Sequence, residues 1–237
     1  LLIAWELLVS FDPGLYAVVG RSLALSAIAC ALACVLGLSA GSFLALRDFP
    51  GRSALLTVLN TSLALPSVVV GLAVYLLLSR SGPLGFLGWL FSFKAMVVAQ
   101  TILVLPVVTA LTRQVIAQAD RMQGEGLRSM GASTLMRACL LTWNERFALM
   151  TVVLTGFGRA VSEVGAVMIV GGNMEGFTRV MTTSIALETS KGELPIALGL
   201  GIVLLVVVLL LNVLMGWVVR AGRHGTTDND APRGAVA

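Results

Sequence analysis

Apolar residues in this chain run in long blocks separated by short polar stretches, rather than in the one-sided stripes of helices packed on a soluble core. Five blocks, 22–46, 53–79, 95–112, 147–170 and 194–219, come close to or exceed the roughly 20 residues that cross a hydrocarbon layer as a helix. The first is uncharged and contains Gly37-x-x-x-Gly41, a small-residue face that lets another helix approach closely. The second is also uncharged and carries Pro66 and Gly71 near its middle, and the third carries Pro106. Proline frees a carbonyl inside a helix, which membrane spans tolerate when neighbours satisfy it. The fourth holds the only charges in the five blocks, Arg159 and Glu163, and the fifth is the most uniformly aliphatic. Ahead of them, residues 1–21 read as an interfacial segment with an Asp12-Pro13-Gly14 turn, a sixth short span being the alternative.

Composition agrees with the blocks. Of 237 residues, 57% are hydrophobic and 12% charged, too little charge to cover a soluble domain. The expected fold is all-α and integral to the membrane. Arginine and lysine then set its orientation. One side receives Arg47, Arg52, Arg113, Arg121, Arg128, Arg137, Arg146, Arg220, Arg223 and Arg233; the other receives Arg21, Arg80, Lys94, Arg179 and Lys191. The richer side is cytoplasmic by the positive-inside rule, so the N-terminus is expected outside and the C-terminus inside, with 220–237 a disordered cytoplasmic tail. The basic residues are scattered between spans instead of clustered on one face, so nucleic acid is not an expected partner. Cys30, Cys34 and Cys139 lack metal-ligand spacing and read as small packing residues.

The connection 113–146 is longer than a turn requires. Its pattern is helix, glycine, helix: Val115, Ile116 and Ala119 come before Gly131, and Leu135, Met136, Cys139 and Leu140 after it. From these residues alone it is either a solvated connector or a docking element. Here the chain resembles a known family. Glu125-Gly126-Leu127-x-x-x-Gly131, followed by Ala132, is similar to the EAA motif of permease subunits of ATP-binding-cassette importers. That resemblance implies a coupling helix docked on an ATPase subunit, with Glu125, Gly126, Leu127, Gly131 and Ala132 as coupling residues. The family's Ile-x-Leu-Pro continuation is replaced by Leu141-Thr142-Trp143-Asn144, without proline. A phosphate-cradling P-loop ends in Gly-Lys-Ser/Thr, whereas the two lysines here precede Ala95 and Gly192. The chain therefore has no ATPase site of that type; catalytic and metal residues are expected to be absent, and ATP and Mg to be bound by the partner ATPase.

Arg159 and Glu163, four residues apart, can neutralise each other on one helix face. They are either a pin that fixes packing or a gate beside the route of an anion, which Arg159 attracts while Glu163 keeps its affinity low. Gly171-Gly172-Asn173 has the form of a glycine helix end. Beyond it, Thr178, Arg179, Thr182, Thr183 and Ser184 offer donors to an oxyanion, or form a surface that docks a partner. The candidate pathway residues are Arg159, Ser162, Glu163, Gly171, Gly172, Asn173, Thr182 and Thr183.

The strings 157–173 and 178–193, with 47–52, 63–88 and the opening at 5–14, closely resemble the permease subunit of tungstate ABC transporters, over nearly the whole chain. Molybdate and sulfate permeases usually carry Gly-Glu-Phe/Tyr-Gly where this chain has Ser162-Glu163-Val164-Gly165, which favours tungstate and leaves molybdate or sulfate as alternatives. The resemblance implies the five-helix core of the type I ABC importer (MetI-like) permease fold, a homodimer, two cytoplasmic ATPase subunits and an extracytoplasmic tungstate-binding protein, all at the cell inner membrane and in contact with membrane lipid. An ion-driven secondary transporter would usually show internal repeats, and none is found. A membrane enzyme would need a polar catalytic cluster, and the only histidine is His224 in the tail. A purely structural membrane subunit stays open.

Overall fold

The computed structural model describes residues 13–227, and every regular element among them is helical. The helices are α1 (Pro13–Leu46), α2 (Arg52–Leu63), α3 (Ser67–Leu78), α4 (Phe93–Ser129), α5 (Thr134–Asn144), α6 (Arg146–Val161), α7 (Gly165–Gly171), α8 (Met181–Lys191) and α9 (Leu194–Thr227), with a short 3₁₀ turn at Gly85–Leu87. Within α1, α4 and α9 lie three stretches long and apolar enough to cross a membrane; the bent pairs α2–α3 and α6–α7 raise the count to five if each pair is one span.

Five boundaries differ from the sequence reading. Pro13 and Gly14 do not form a turn but open α1, because proline has no N–H to satisfy and its φ suits the first helical position. Residues 1–12, which carry most of the expected interfacial segment, lie outside the described residues. The second span is broken at Ala64–Pro66, where its halves meet at 105°. Pro66 is extended (φ −62°, ψ 129°) and caps α3 instead of kinking a continuous helix. The fourth span likewise breaks at Ser162–Val164, with a 56° bend. The third helix does not stop at Thr112 but runs on to Ser129, since the stretch after Thr112 lacks proline and buries Ile116 and Ala119. In the same way α9 continues past Val219 to Thr227, so 220–227 are helical; the rest of the expected tail lies outside the described residues.

The most extensive helix interface joins α1 to α4. The small-residue face of α1 is what allows it: a Cβ on Gly37 would sit 2.8 Å from Val108 Cγ1, and one on Gly41 would sit 2.7 Å from the Thr109 carbonyl oxygen. Cys30 and Cys34 lie on α1, buried and reduced, with Sγ atoms 3.8 Å apart. Two apolar clusters result. One joins Leu25, Val74, Met96, Val167 and Val170, from α1, α3, α4 and α7. The other joins Cys30, Val104, Ile116, Leu141 and Val152, from α1, α4, α5 and α6. The second halves of the two broken spans pack on each other through glycine: a Cβ on Gly71 would lie 2.7 Å from Ala166 Cα, and one on Gly165 would lie 2.9 Å from Ser67 Oγ.

Candidate functional site

Arg159 stands in the last turn of α6, and Glu163 in the break that follows. Their ion pair closes at 2.8 Å across that break, with the Glu163 side chain 3% exposed and that of Arg159 37% exposed. The other carboxylate oxygen of Glu163 accepts the Ala166 N–H at 3.2 Å and so satisfies one of the free donors at the start of α7. Its backbone carbonyl accepts the Thr182 hydroxyl at 2.9 Å, which ties α8 to the same point. From the other side, the Gln100 side-chain amide of α4 donates to the Ala160 carbonyl and lies 3.4 Å from Ser26 Oγ of α1. Three helices, α1, α4 and α8, therefore meet at one interrupted span. The end of α7 that would otherwise attract an anion is already occupied by a carboxylate of the same chain. Arg159 alone among these groups keeps a substantial face open.

At the other end of α7, Gly172 takes a left-handed conformation (φ 68°) and Asn173 follows at φ 50°. Glycine is required at 172 because a Cβ there would meet the Phe91 ring at 2.9 Å. The hydroxyls that the sequence offered to an oxyanion are engaged within the fold. Thr178 donates to the Gly171 carbonyl at 2.6 Å and Ser184 to the Val180 carbonyl at 2.9 Å. Thr183 accepts the Val180 N–H at 3.1 Å, and Arg179 pairs with Glu175 at 3.2 Å. Asn173 reaches the Thr183 carbonyl at 3.4 Å. These residues shape the end of α7 and the start of α8; Thr182, Thr183 and Ser184 are buried.

The elbow between α4 and α5 is a separate assembly. Gly131 is left-handed (φ 80°); its N–H reaches the Arg128 carbonyl at 2.9 Å, and the Ala132 N–H reaches the Leu127 carbonyl at 3.0 Å. This pair of bonds is the Schellman arrangement that ends a helix at glycine. Ser133 then caps α5 by accepting the Met136 N–H at 3.3 Å. Of the candidate coupling residues, Gly126, Leu127, Gly131 and Ala132 build this stop, while Glu125 is exposed on the turn before it. Met136 and Leu140, four residues apart on α5, are exposed, as is Met130 before the corner.

Sequence reasoning missed the residues that hold the elbow. Asp120 of α4 binds Arg137 of α5 at 2.6 Å and Arg128 at 3.1 Å. Gly124 makes room for it, since a Cβ there would lie 2.3 Å from Asp120 Oδ1. The spacing Asp120-x-x-x-Gly124 was the available signal; the partner Arg137, seventeen residues on, was not predictable from helical periodicity because a corner intervenes. Gln100 and Ser26 were likewise missed, although a glutamine inside an apolar span is itself a signal. Among the described residues no three His, Cys, Asp or Glu side chains converge to hold a metal.

The model of the binding-protein-dependent transport system inner membrane component family matches residues 34–224. The chain is 41% identical to the tungstate uptake system permease protein TupB of Peptoclostridium acidaminophilum, over 88% of this chain and 92% of that one. It is 40% identical to a probable anion ABC transporter permease protein of Haloferax volcanii, over 84% and 88% of the two chains. A second tungstate uptake permease TupB, from Campylobacter jejuni, is 41% identical over 70% of this chain and 69% of its own.

Proposed function

This chain belongs to the binding-protein-dependent transport system inner membrane components, and we propose that it is the permease that carries tungstate into the cytoplasm. As a member of that family it is an inner-membrane transport subunit of an ABC importer and works with a binding protein and an ATPase. The observation that carries the substrate is its similarity, over most of its length, to two tungstate uptake permeases.

In this reading the five spans form the core of a type I importer, with the N-terminus outside and the C-terminus in the cytoplasm. Two copies pair, each on one cytoplasmic ATPase that binds ATP and Mg, and an extracytoplasmic tungstate-binding protein delivers the anion. The elbow is the coupling element. Glu125 and the exposed Met130, Met136 and Leu140 meet the ATPase, and the glycine stop at Gly131 with the Asp120 clamp makes α4 and α5 move as one lever. ATP-driven closure of the ATPases thus moves α4, whose membrane half contacts both broken spans. The break at Ser162–Val164 is the gate. Arg159 presents positive charge to the passing dianion, while Glu163 holds the guanidinium and keeps the anion from resting there. Gly171, Gly172, Asn173, Thr182 and Thr183 set the geometry of that gate and do not coordinate the anion.

Uptake by the complex reconstituted in vesicles tests the proposal. ATP-dependent, vanadate-sensitive tungstate uptake is expected, abolished by Glu125→Arg or Gly131→Pro while the protein still inserts. Full uptake by either variant at normal expression counts against the coupling role, and proton-driven uptake insensitive to vanadate rejects the importer. Faster uptake of molybdate or sulfate than of tungstate reassigns the substrate and leaves the mechanism.

A further inference from the structure

We propose that the groove between α1, α5 and α6 is a binding site for an anionic glycerophospholipid of the membrane leaflet on the arginine-rich side. The groove has a volume of about 910 Å³, near the upper end of the roughly 300–1,000 Å³ range of small-molecule sites. Its walls are apolar, from Leu38 and Phe43 of α1 to Leu149 and Val153 of α6. Arg47 and Arg146 also line it. Apolar wall and positive charge follow one another as they do in the ligand proposed: Leu38, Leu149 and Val153 lie on the membrane-spanning parts of α1 and α6, and the two arginines stand where those parts end.

Charge selects the occupant. No acidic residue lines the groove, and neither arginine has a carboxylate partner among the described residues. Arg47 lies over the Phe43 ring at 5.7 Å. Arg146 lies over the rings of Trp143 and Phe147 at 5.4 and 4.5 Å, and donates to the Trp143 carbonyl at 3.0 Å. The nearby Asp48 is already held by Arg52 at 3.0 Å. Both guanidiniums therefore keep donors for a phosphate, and an aromatic residue beside each suits the level of the headgroups. A second copy docking the same groove on itself would bring two more arginines to a surface without acid, which like-charge repulsion opposes. Lipids of the cytoplasmic leaflet are anionic and attract basic residues at this depth.

The test uses the full chain with the subunits that co-purify with it, placed in nanodiscs of equal phosphatidylglycerol and phosphatidylcholine and released for native mass spectrometry. Retained phosphatidylglycerol is expected to exceed phosphatidylcholine roughly tenfold, a preference that Arg47→Gln combined with Arg146→Gln removes. Ala138→Phe, which fills the groove and keeps both arginines, is expected to release both lipids. If the double variant fails to fold, the preference of the unaltered chain and the Ala138→Phe result still decide. Equal retention of the two lipids by the unaltered chain overturns the proposal. So does a disulfide-linked dimer through Cys139, the exposed cysteine in the groove, because a second copy would then fill the site. Protection of Cys139 from thiol reagents by the ATPase alone, in lipid-free detergent, overturns it as well.

Discussion

The break between α6 and α7 and the elbow between α4 and α5 use similar parts: a carboxylate held by arginine beside a helix end, with glycine nearby. Their surroundings differ. Glu163 is 3% exposed, inside an apolar span, and its pairing is local, four residues apart. Asp120 is 14% exposed, beyond the apolar part of α4, and bridges two arginines, one on the next helix. In the membrane the carboxylate has to be satisfied on every side, and it is: by Arg159 and by the Ala166 N–H. At the elbow a buried Arg137 and an exposed Arg128 share that work, and the ion pairs tie one helix to the next. The same chemistry thus closes an interrupted span in one place and fixes the angle between two helices in the other.

The sharpest test of that difference is to remove an arginine from the break. Arg159→Met leaves Glu163 buried and unpaired, and a loss of about 3 kcal/mol is expected, the lower end for a broken buried pair because Arg159 is partly exposed. Adding Glu163→Gln should restore most of it, as read by thermal unfolding of the purified chain. A double variant no more stable than the single would mean that the pair is not the unit that holds the break. Next in size is Gly71→Ala, where the added methyl meets the Ala166 backbone; overpacking of a contact that cannot yield costs about 2 kcal/mol. Because it presses on α7, it should lower transport more than its stability loss explains, measured as uptake per folded protein.

Asp120→Asn should cost less, about 1.5 kcal/mol, because the amide oxygen still accepts a hydrogen bond from an arginine and fills the same space. Its effect on transport should nevertheless be large, seen as ATPase activity no longer stimulated by the loaded binding protein. Normal stimulation would show that the clamp is not part of the lever. The smallest stability effect, within about 0.5 kcal/mol, is expected for Met136→Ser on the exposed side of α5, with weakened retention of the ATPase during purification as its signature.

Much of the fold could be read directly from the residue pattern. The five apolar blocks fall on the three helices long and apolar enough to cross a membrane and on the two bent pairs, and Gly37 and Gly41 lie where close helix approach demands them. The Gly131 corner and the glycine end of α7 were visible because a left-handed position has few alternatives to glycine. The break at Ser162–Val164 was not visible. Nothing in Val161-Ser162-Glu163-Val164 forbids a helix, and the span is interrupted by what it meets: Thr182 on its carbonyl, Gln100 on the residue before, and α3 against Gly165. The engagement of the donor cluster at 178–184 was hidden for a related reason. Hydroxyls look available in a sequence, and only their neighbours show that backbone carbonyls already hold them.

By itself, then, the sequence determined the length and polarity of the spans, the places where only glycine or proline would serve, and the family. These are properties of single residues and of local spacing, and hydrocarbon thickness and φ/ψ sterics act on them directly. The tertiary structure alone decided where two spans break, which arginine answers Asp120, and which polar groups remain free. Each of these depends on a partner brought in from elsewhere in the chain, and the low dielectric of the membrane makes that partner the difference between a satisfied group and one that could not be buried at all.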